Sequence, residues 1–303
     1  QGMHGMISQV EGLAKALDLD FTHHTVELNN FWKLLPPKMS PISQSVFKKI
    51  DVKDFDVIIS CGRKSVIPSI YLKKNTSKKI INIHIQDPKV NLTNFNYIIA
   101  PEHDGLFGKN VFSTKGAIHY LTKKEIDKNT DYLKNRLKIG KEYFLLILGG
   151  PTKHYDYSDE NILKILDLFN DLVIKNNLQG IVIPSMRTPK NIIELTKDRL
   201  SENSLIIDSV DKKAYLSALS LAKYISVTCD STSMISEAAL TGKPIYIADI
   251  PAKKNDRRIK KFRELFNELN ITKKLDNKLE TWHYENLDAT NRVANIIKQK
   301  INS

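Results

Sequence analysis

The chain has 303 residues, 41% hydrophobic and 26% charged, a balance typical of soluble globular proteins that excludes disordered and collagen-like classes. Lys and Arg total 46 against 34 Asp and Glu, so the net charge is +12, which favours an anionic partner without selecting one. Only eight of the 46 cations are Arg. Because base edges in nucleic acid are bound largely by Arg, we expect no specific nucleic-acid partner.

The first half of the sequence alternates helical and strand patterns. Met6–Leu17 carries apolar residues at helical spacing, and Lys64–Leu72 predicts a second helix. Three short β-branched runs are typical of buried parallel strands: Val57–Ser60, Ile80–Ile83 and Tyr97–Ala100. This alternation predicts a doubly wound sheet. Since such a domain ordinarily begins with a strand, we expect a short strand upstream of Gln1.

The same alternation restarts after Gly140. Helices are predicted at Ser158–Lys175, Lys212–Ala222 and Ser233–Thr241. Strands are predicted at Tyr143–Leu148, Gly180–Pro184, Leu205–Ile207, Tyr224–Cys229 and Pro244–Ile250. We therefore predict an α/β protein with two Rossmann-like domains. The domains are residues 1–138, joined by the C-terminal helix in 289–303, and residues 139–288.

Two strand ends in the second domain carry residues suited to phosphate. Ligands of open parallel sheets bind beyond the carboxyl ends of the strands. Gly149 and Gly150 follow one strand, where glycine allows close approach to a diphosphate, and Lys153 comes soon after. Arg187 follows the next strand with a fork that matches phosphate oxygens. A plain turn explains the two glycines equally well, and a surface ion pair explains Arg187.

A third strand end runs into the hydroxyl-rich start of a helix. Ser231, Thr232 and Ser233 stand where free N–H groups and the helix dipole bind anions. Glu237 follows about one turn later, where a carboxylate can accept hydrogen bonds from two ribose hydroxyls. Helix capping alone also explains the hydroxyls. Taken together, the three strand ends favour a nucleotide.

The first domain has titratable groups at a strand end. Glu102, His103 and Asp104 follow Tyr97–Ala100, and carboxylates in such a position suit acid–base catalysis. A polar turn that bonds its own backbone explains them equally. His84 lies within a strand and is expected to be a core histidine.

Residues 253–263 form a basic stretch with seven cations in 11 positions. It suits anionic lipid headgroups or a lipid-linked glycan acceptor, and a solvated helix face explains it as well. The candidate contacts are Lys253, Lys254, Arg257, Arg258, Lys260 and Lys261.

Several motifs in order along nearly the whole chain resemble the family named after the plant mitochondrial fission ("elongated mitochondria") proteins, which has many bacterial members. They are Gly2-x-x-Gly5, Gln9, Gly12–Ala14, Cys61–Lys64, Gln86–Pro88, Ala100–Leu106, Gly149–Tyr155, Ser185–Pro189 and Asp230–Ala238. The resemblance implies a fold like that of the GT-B glycosyltransferases, with two Rossmann-like domains facing a cleft.

The resemblance also implies roles for individual residues. In GT-B enzymes the nucleotide sugar lies mainly on the C-terminal domain, so Glu237 would hold the ribose and Ser231–Ser233 the diphosphate. The general base would come from the N-terminal domain, where Asp104, Glu102 and His4 are the candidates. The expected function is a glycosyltransferase of cell-surface glycan or lipopolysaccharide assembly. The alternatives are a non-catalytic membrane-associated scaffold and a sugar-nucleotide epimerase.

No metal or other cofactor is expected. Asp54 and Asp56 resemble the metal-binding Asp-x-Asp of the other glycosyltransferase fold, but they precede a strand and so lie at the wrong end of the sheet. Cys61 and Cys229 match no zinc or redox spacing and suit a reducing cytoplasm. No apolar run reaches the length of a membrane span. We expect a cytoplasmic protein that can attach peripherally to the inner membrane face.

Overall fold

A computed structural model describes residues 4–51, 54–200 and 202–302. The chain divides into two compact units, one formed by the chain up to Tyr120 together with the residues from Ala289 onward, and one formed by Leu121–Asp288. Segment 121–138, predicted for the first domain, belongs to the second unit. The reason is its packing on a helix of that unit. The Leu133 amide donates to Ser217 Oγ at 3.1 Å, and the Ser217 hydroxyl donates to the Thr130 carbonyl at 2.9 Å.

The first unit is built on a four-stranded parallel sheet. In spatial and chain order its strands are β1 (Val57–Cys61), β2 (Ile81–Ile85), β3 (Tyr97–Pro101) and β4 (Val111–Thr114). Its helices are α1 (His4–Ala16), α2 (Val66–Lys74) and the C-terminal helix α9 (Ala289–Asn302). β4 was not predicted from the sequence, because its polar Ser and Thr give no continuous apolar run.

The core of the first unit joins the two ends of the sequence. Leu13 and Leu17 of the α1 region pack with Val293, Ala294 and Ile297 of α9 and with the sheet. Gly12 allows α1 to lie close to the backbone at His119, since a Cβ there would lie 2.4 Å from the His119 carbonyl oxygen. His84 is a core histidine as expected, buried and hydrogen bonded to the Ser60 hydroxyl at 2.8 Å.

The second unit is built on a six-stranded parallel sheet with spatial order β10-β9-β8-β5-β6-β7. The strands are β5 (Tyr143–Leu148), β6 (Gln179–Pro184), β7 (Ser204–Ile206), β8 (Tyr224–Thr228), β9 (Ile245–Ala248) and β10 (Thr272–Lys274). The chain moves outward from β5 to β7, returns to β8 on the other side of β5, and moves outward again. The strand order therefore reverses between β5 and β8. In open parallel sheets, ligands bind in the crevice at such a reversal point.

Helices connect these strands and are specified by local signals. They are α3 (Lys123–Lys128), α4 (Asp159–Lys175), α5 (Lys190–Leu200), α6 (Lys212–Leu221), α7 (Thr232–Ala239) and α8 (Arg257–Glu268). A capping box of Thr122 and Glu125 starts α3, and α4 buries Ile162, Leu166 and Phe169 at helical spacing. Among the described residues, no helix is both long and apolar enough to cross a membrane.

Candidate functional site

The carboxylate of Asp230, two residues after the end of β8, is the centre of a polar cluster at the reversal point of the second sheet. Its Oδ2 accepts hydrogen bonds from the Arg187 guanidinium at 2.7 Å and the Gly150 amide at 3.2 Å, and its Oδ1 accepts from the Thr228 hydroxyl at 2.7 Å. The carboxylate is fully buried. Burial of a charge is costly unless the charge is paired and hydrogen bonded, and here both conditions hold. The cluster therefore fixes the loops after β5, β6 and β8 to one another.

Gly149 and Gly150 are required by this cluster. A Cβ on Gly149 would lie 2.2 Å from Asp230 Oδ1, and a Cβ on Gly150 would lie 2.1 Å from the Arg187 carbonyl oxygen. The Gly149 amide also donates to Thr228 Oγ1 at 2.8 Å. The glycines stand at the predicted edge of the sheet, and the close neighbours that exclude a side chain are the protein's own Asp230 and Arg187.

Arg187 makes the ion pair that the sequence analysis left open, but its partner is a buried carboxylate. Besides Asp230, its guanidinium donates to the Gly150 carbonyl at 3.1 Å. Arginine has five N–H donors, and these two contacts orient the group while 41% of the side chain stays exposed. The structure thus places a fixed guanidinium at the ligand edge. The role of Asp230 was not predictable from the sequence, where the residue stands out only as part of a motif.

The start of α7 completes this edge. Ser231 is its N-cap and its Oγ accepts from the Met234 amide at 3.4 Å, so the capping explanation holds for this hydroxyl. Thr232 and Ser233 form the first turn and are part-buried. The first N–H groups of a helix have no intrahelical acceptor, and together with the helix dipole they attract anions.

Glu237, one turn into α7, is paired with a residue that the sequence analysis missed. The Tyr215 hydroxyl of α6 donates to Glu237 Oε2 at 2.8 Å. Burial raises the pKa of Glu237 to about 7, and the hydrogen bond from Tyr215 acts in the opposite direction. The neutral form of the carboxyl group is therefore favoured relative to that of an exposed glutamate. No motif or spacing in the sequence links Tyr215 to Glu237.

Lys153 lies beyond the glycine pair, in a segment that is held against the loop after β9. Its own side chain is exposed. Next to it, His154 Nδ1 lies 2.7 Å from the Asn255 carbonyl oxygen, and the Tyr155 hydroxyl donates to Asp256 at 2.9 Å. These contacts fix the backbone at Lys153 and leave its ammonium group in solvent.

The basic stretch is divided between the surface and the interior. Phe262 and Phe266 of α8 are buried with ring centroids 4.2 Å apart, and Arg263 turns inward to Asp249 at 2.5 Å and Asp256 at 3.4 Å. The other six cations are exposed, and their ion pairs include Lys253 with Asp156 and Lys260 with Glu264. The exposed set is Lys253, Lys254, Arg257, Arg258, Lys260 and Lys261.

The first unit carries the candidate general bases. Glu102 and Asp104 lie in a single 3-10 turn after β3. Glu102 is exposed, whereas the side chains of His103 and Asp104 are almost buried, with His103 Nε2 3.6 Å from Asp104 Oδ1. His4 begins α1, and its side chain lies outside the described part of the chain.

A cavity of about 860 Å³ in the first unit lies between α1, β1 and segment 19–26. Neither Glu102 nor Asp104 lines it. Asp54 and Asp56 border it, ahead of β1, where Lys78 pairs with Asp54. No group of three His, Cys, Asp or Glu within residues 4–51, 54–200 and 202–302 is arranged to hold a metal ion.

Two parallel sheets covered by helices, one of them with Rossmann strand order, define a protein of the GT-B fold class. The structure of UDP-GlcNAc 2-epimerase from Methanocaldococcus jannaschii is similar to 94% of this chain and 88% of its own, with a TM-score of 0.51 and 17% identity. The predicted fold class is thus confirmed.

The sequence comparisons give the family. Residues 4–301 match the family described as "Mitochondrial fission ELM1", and the chain belongs to that family. The uncharacterized protein RP120 of Rickettsia prowazekii is 27% identical over 97% of this chain and 95% of its own length. The mitochondrial fission protein ELM1 of Arabidopsis thaliana is 22% identical over 81% of this chain and 64% of its own length. The predicted family is confirmed.

Proposed function

We propose that the second unit binds a nucleotide sugar and that the protein is a metal-independent glycosyltransferase. The observation that carries the proposal is the arrangement at the reversal point between β5 and β8. There the Asp230 carboxylate fixes the Arg187 guanidinium and the glycine turn, and α7 begins two residues later. Fixed donors of this kind suit the diphosphate of a donor substrate.

Each part of a nucleotide sugar has matching residues at this edge. Arg187 and the first-turn N–H groups of Thr232 and Ser233 would bind the diphosphate, with Lys153 adding charge. Glu237 would accept hydrogen bonds from the ribose hydroxyls. The structurally similar archaeal protein is a UDP-GlcNAc 2-epimerase, and its nucleotide-sugar substrate supports the same substrate class here.

Two exposed apolar side chains suit the nucleobase. Met186 follows β6 with 68% of its surface exposed, and Val210 follows β7 with 60% exposed. Apolar side chains at the carboxyl edge can cover the flat face of a base, as in most small-molecule sites.

In the transfer step, the bond from the anomeric carbon to the diphosphate oxygen breaks and a bond to an acceptor hydroxyl oxygen forms. Arg187 and the α7 N-terminus would stabilise the charge on the leaving diphosphate, in place of a metal ion. A carboxylate or imidazole of the first unit would take the acceptor proton, with Asp104, Glu102 and His4 as the candidates. The acceptor is a glycan or lipid-linked glycan of the cell surface, reached from the cytoplasm at the inner membrane face.

Thermal unfolding of the full chain with nucleoside mono- and diphosphates and nucleotide sugars tests the binding. At a ligand concentration about a hundredfold above the dissociation constant, we expect Tm to rise by roughly 5–10 °C. Arg187→Lys, which retains the charge but loses the fork, should reduce the shift. Arg199→Lys is the matched control, since Arg199 pairs with Asp167 on the exposed side of α5. No shift with any nucleotide would overturn the proposal and favour the non-catalytic scaffold.

Product analysis tests the reaction. With donor and a membrane extract as acceptor source, we expect nucleoside diphosphate release that continues in the presence of a chelator and is lost in Glu237→Ala. If the protein converts the donor alone into an epimerised sugar nucleotide, its activity is that of an epimerase and not of a transferase. Release that stops with the chelator would contradict the metal-independent mechanism.

A further inference from the structure

A loop in the first unit carries an unusual density of exposed apolar side chains. In segment 29–46, called the 29–46 loop below, Phe31 is 66% exposed, Leu34 83%, Met39 60% and Ile42 39%. These are four of the 13 large apolar residues that are exposed in the described part of the chain, and they fall within 12 positions. Scattered exposed apolar residues are normal, but a concentration of them marks an interaction surface.

The loop is a closed, anchored structure. Its ends are joined by the Asn29 amide donating to the Val46 carbonyl at 2.9 Å and by the bridge between Leu28 and Phe47. Trp32 packs inward against the cluster that holds Leu28, Val46 and Phe47. The inward side chains thus fix the backbone, and the exposed apolar side chains project from a loop that is already ordered.

Arg63 adds a second anchor. Its guanidinium donates to the Lys33 carbonyl, which ties the loop to the connection between β1 and α2. Three prolines, Pro36, Pro37 and Pro41, further restrict the backbone.

The charge of the loop selects its partner. It contains Lys33 and Lys38, both exposed, and no Asp or Glu. Lys49 follows three residues after the loop, whereas Lys48 pairs with Glu27. A second copy of the chain seated on a two-fold axis would bring these cations against one another. An anionic bilayer attracts the lysines and accepts the apolar side chains at the boundary between headgroups and acyl chains.

We propose that the 29–46 loop is a membrane-docking surface that inserts Phe31, Leu34 and Met39 into an anionic bilayer, with Lys33 and Lys38 on the headgroups. This surface differs from the basic stretch 253–263, whose exposed side chains are mainly cationic. The proposal does not depend on the nucleotide-sugar activity, because none of its residues belongs to the second unit.

Flotation of the full chain with phosphatidylcholine vesicles, with and without phosphatidylglycerol, tests the docking. We expect binding only to the anionic vesicles, and Leu34→Ser with Met39→Ser should weaken it about tenfold or more. The matched control is Ile139→Ser with Ile174→Ser, which removes two exposed apolar side chains from the second unit and should leave binding unchanged.

Phe31→Trp gives a direct readout of insertion. Compared with the wild type, which already contains Trp32 and Trp282, the variant should show additional quenching by brominated acyl chains in anionic vesicles. This additional quenching should decrease when Lys33 and Lys38 are changed to Gln. The proposal is overturned by the absence of quenching, by binding that survives Leu34→Ser with Met39→Ser, or by binding lost only when Lys253 and Lys254 are neutralised. If the wild type forms a dimer and does not bind vesicles, and the loop variant is monomeric, the occupant is a second copy of the chain instead.

Discussion

At the scale of single residues, the second unit depends on one buried carboxylate. Asp230 receives donors from three different segments, so its position is fixed by Arg187, Gly150 and Thr228 together. Breaking a buried charge pair leaves an uncompensated charge and is strongly destabilising. Because the same contacts orient the guanidinium at the carboxyl edge of the sheet, the proposed nucleotide binding would be coupled to stability at this point.

Gly149→Ala tests that coupling. The new methyl group would meet Asp230 Oδ1, so we expect a loss of roughly 1–3 kcal/mol in unfolding free energy and a reduced nucleotide-induced Tm shift. The control is Gly140→Ala, where φ is +79° and nothing lies within 4 Å; it should cost roughly 1–2 kcal/mol from backbone strain alone. Calorimetry with and without nucleotide measures both effects. If the nucleotide-induced Tm shift is unchanged in Gly149→Ala, the position of the Asp230 carboxylate does not affect nucleotide binding.

Glu237 should make stability depend on pH. Burial raises its pKa from 4.5 to about 7, so the unfolded chain releases this proton at lower pH than the folded chain does. The contribution of protonated Glu237 to the unfolding free energy is therefore fully present below pH 4.5 and is lost as pH rises toward the folded pKa of about 7. The unfolding free energy falls by up to about 3 kcal/mol over this interval.

Glu237→Gln removes this titration while the Gln amide oxygen can still accept from the Tyr215 hydroxyl. We expect the variant and the wild type to have similar Tm near pH 5 and the variant to have the higher Tm near pH 8. Thermal unfolding across this range provides the measurement. A Tm difference that stays constant with pH would show that Glu237 does not titrate in this interval.

At the scale of elements, continuous apolar strands were predictable and polar or charged elements were not. β5 has the bounds given by the sequence, Tyr143–Leu148, because all but its first residue are buried and its pattern is unbroken. α5 was missed because charged residues interrupt its apolar positions, and α8 was anticipated only as one explanation of the basic stretch. β10, with sequence Thr-Lys-Lys, is a strand only because its backbone pairs with β9.

The candidate site shows the same division. The sequence located its strand ends, since glycines, hydroxyls and Arg187 stand at the carboxyl ends of apolar runs. It did not identify the Asp230–Arg187 and Tyr215–Glu237 pairs. Each pair joins loops or helices that are distant in sequence, and their meeting depends on strand order, which the local pattern does not contain.

The helix α8 offers a test of which cations in the basic stretch are structural. Arg263 contacts Asp249 and Asp256 and lies over the Tyr155 ring with 6.0 Å between its Cζ and the ring centroid. We expect Arg263→Ala to lower the unfolding free energy by roughly 2–3 kcal/mol. Lys261→Ala, on the exposed face of the same helix, should change it by less than about 0.5 kcal/mol. Urea unfolding of both variants provides the comparison, and equal effects would contradict the inward role of Arg263.

At the scale of the whole molecule, the two units differ in how the chain builds them. The second unit is one continuous segment, Leu121–Asp288, whereas the first needs both ends of the sequence. The α9 residues Val293, Ala294 and Ile297 are buried in the core of the first unit. The Thr290 hydroxyl donates to the His119 carbonyl and accepts from the His119 amide, both at 2.9 Å.

This difference predicts an asymmetry between fragments. A fragment of residues 121–288 should unfold cooperatively and retain the nucleotide-induced Tm shift of the full chain. A fragment of residues 1–120 should not fold alone, because it lacks two large aliphatic side chains of α9 that complete the core. Burying each of them contributes about 1.5–3 kcal/mol, which is a large part of a typical domain stability of about 5–15 kcal/mol. Adding a peptide of residues 289–303 should restore its cooperative unfolding, as followed by circular dichroism. If the 1–120 fragment unfolds cooperatively without the peptide, α9 is not required for the core of the first unit to form.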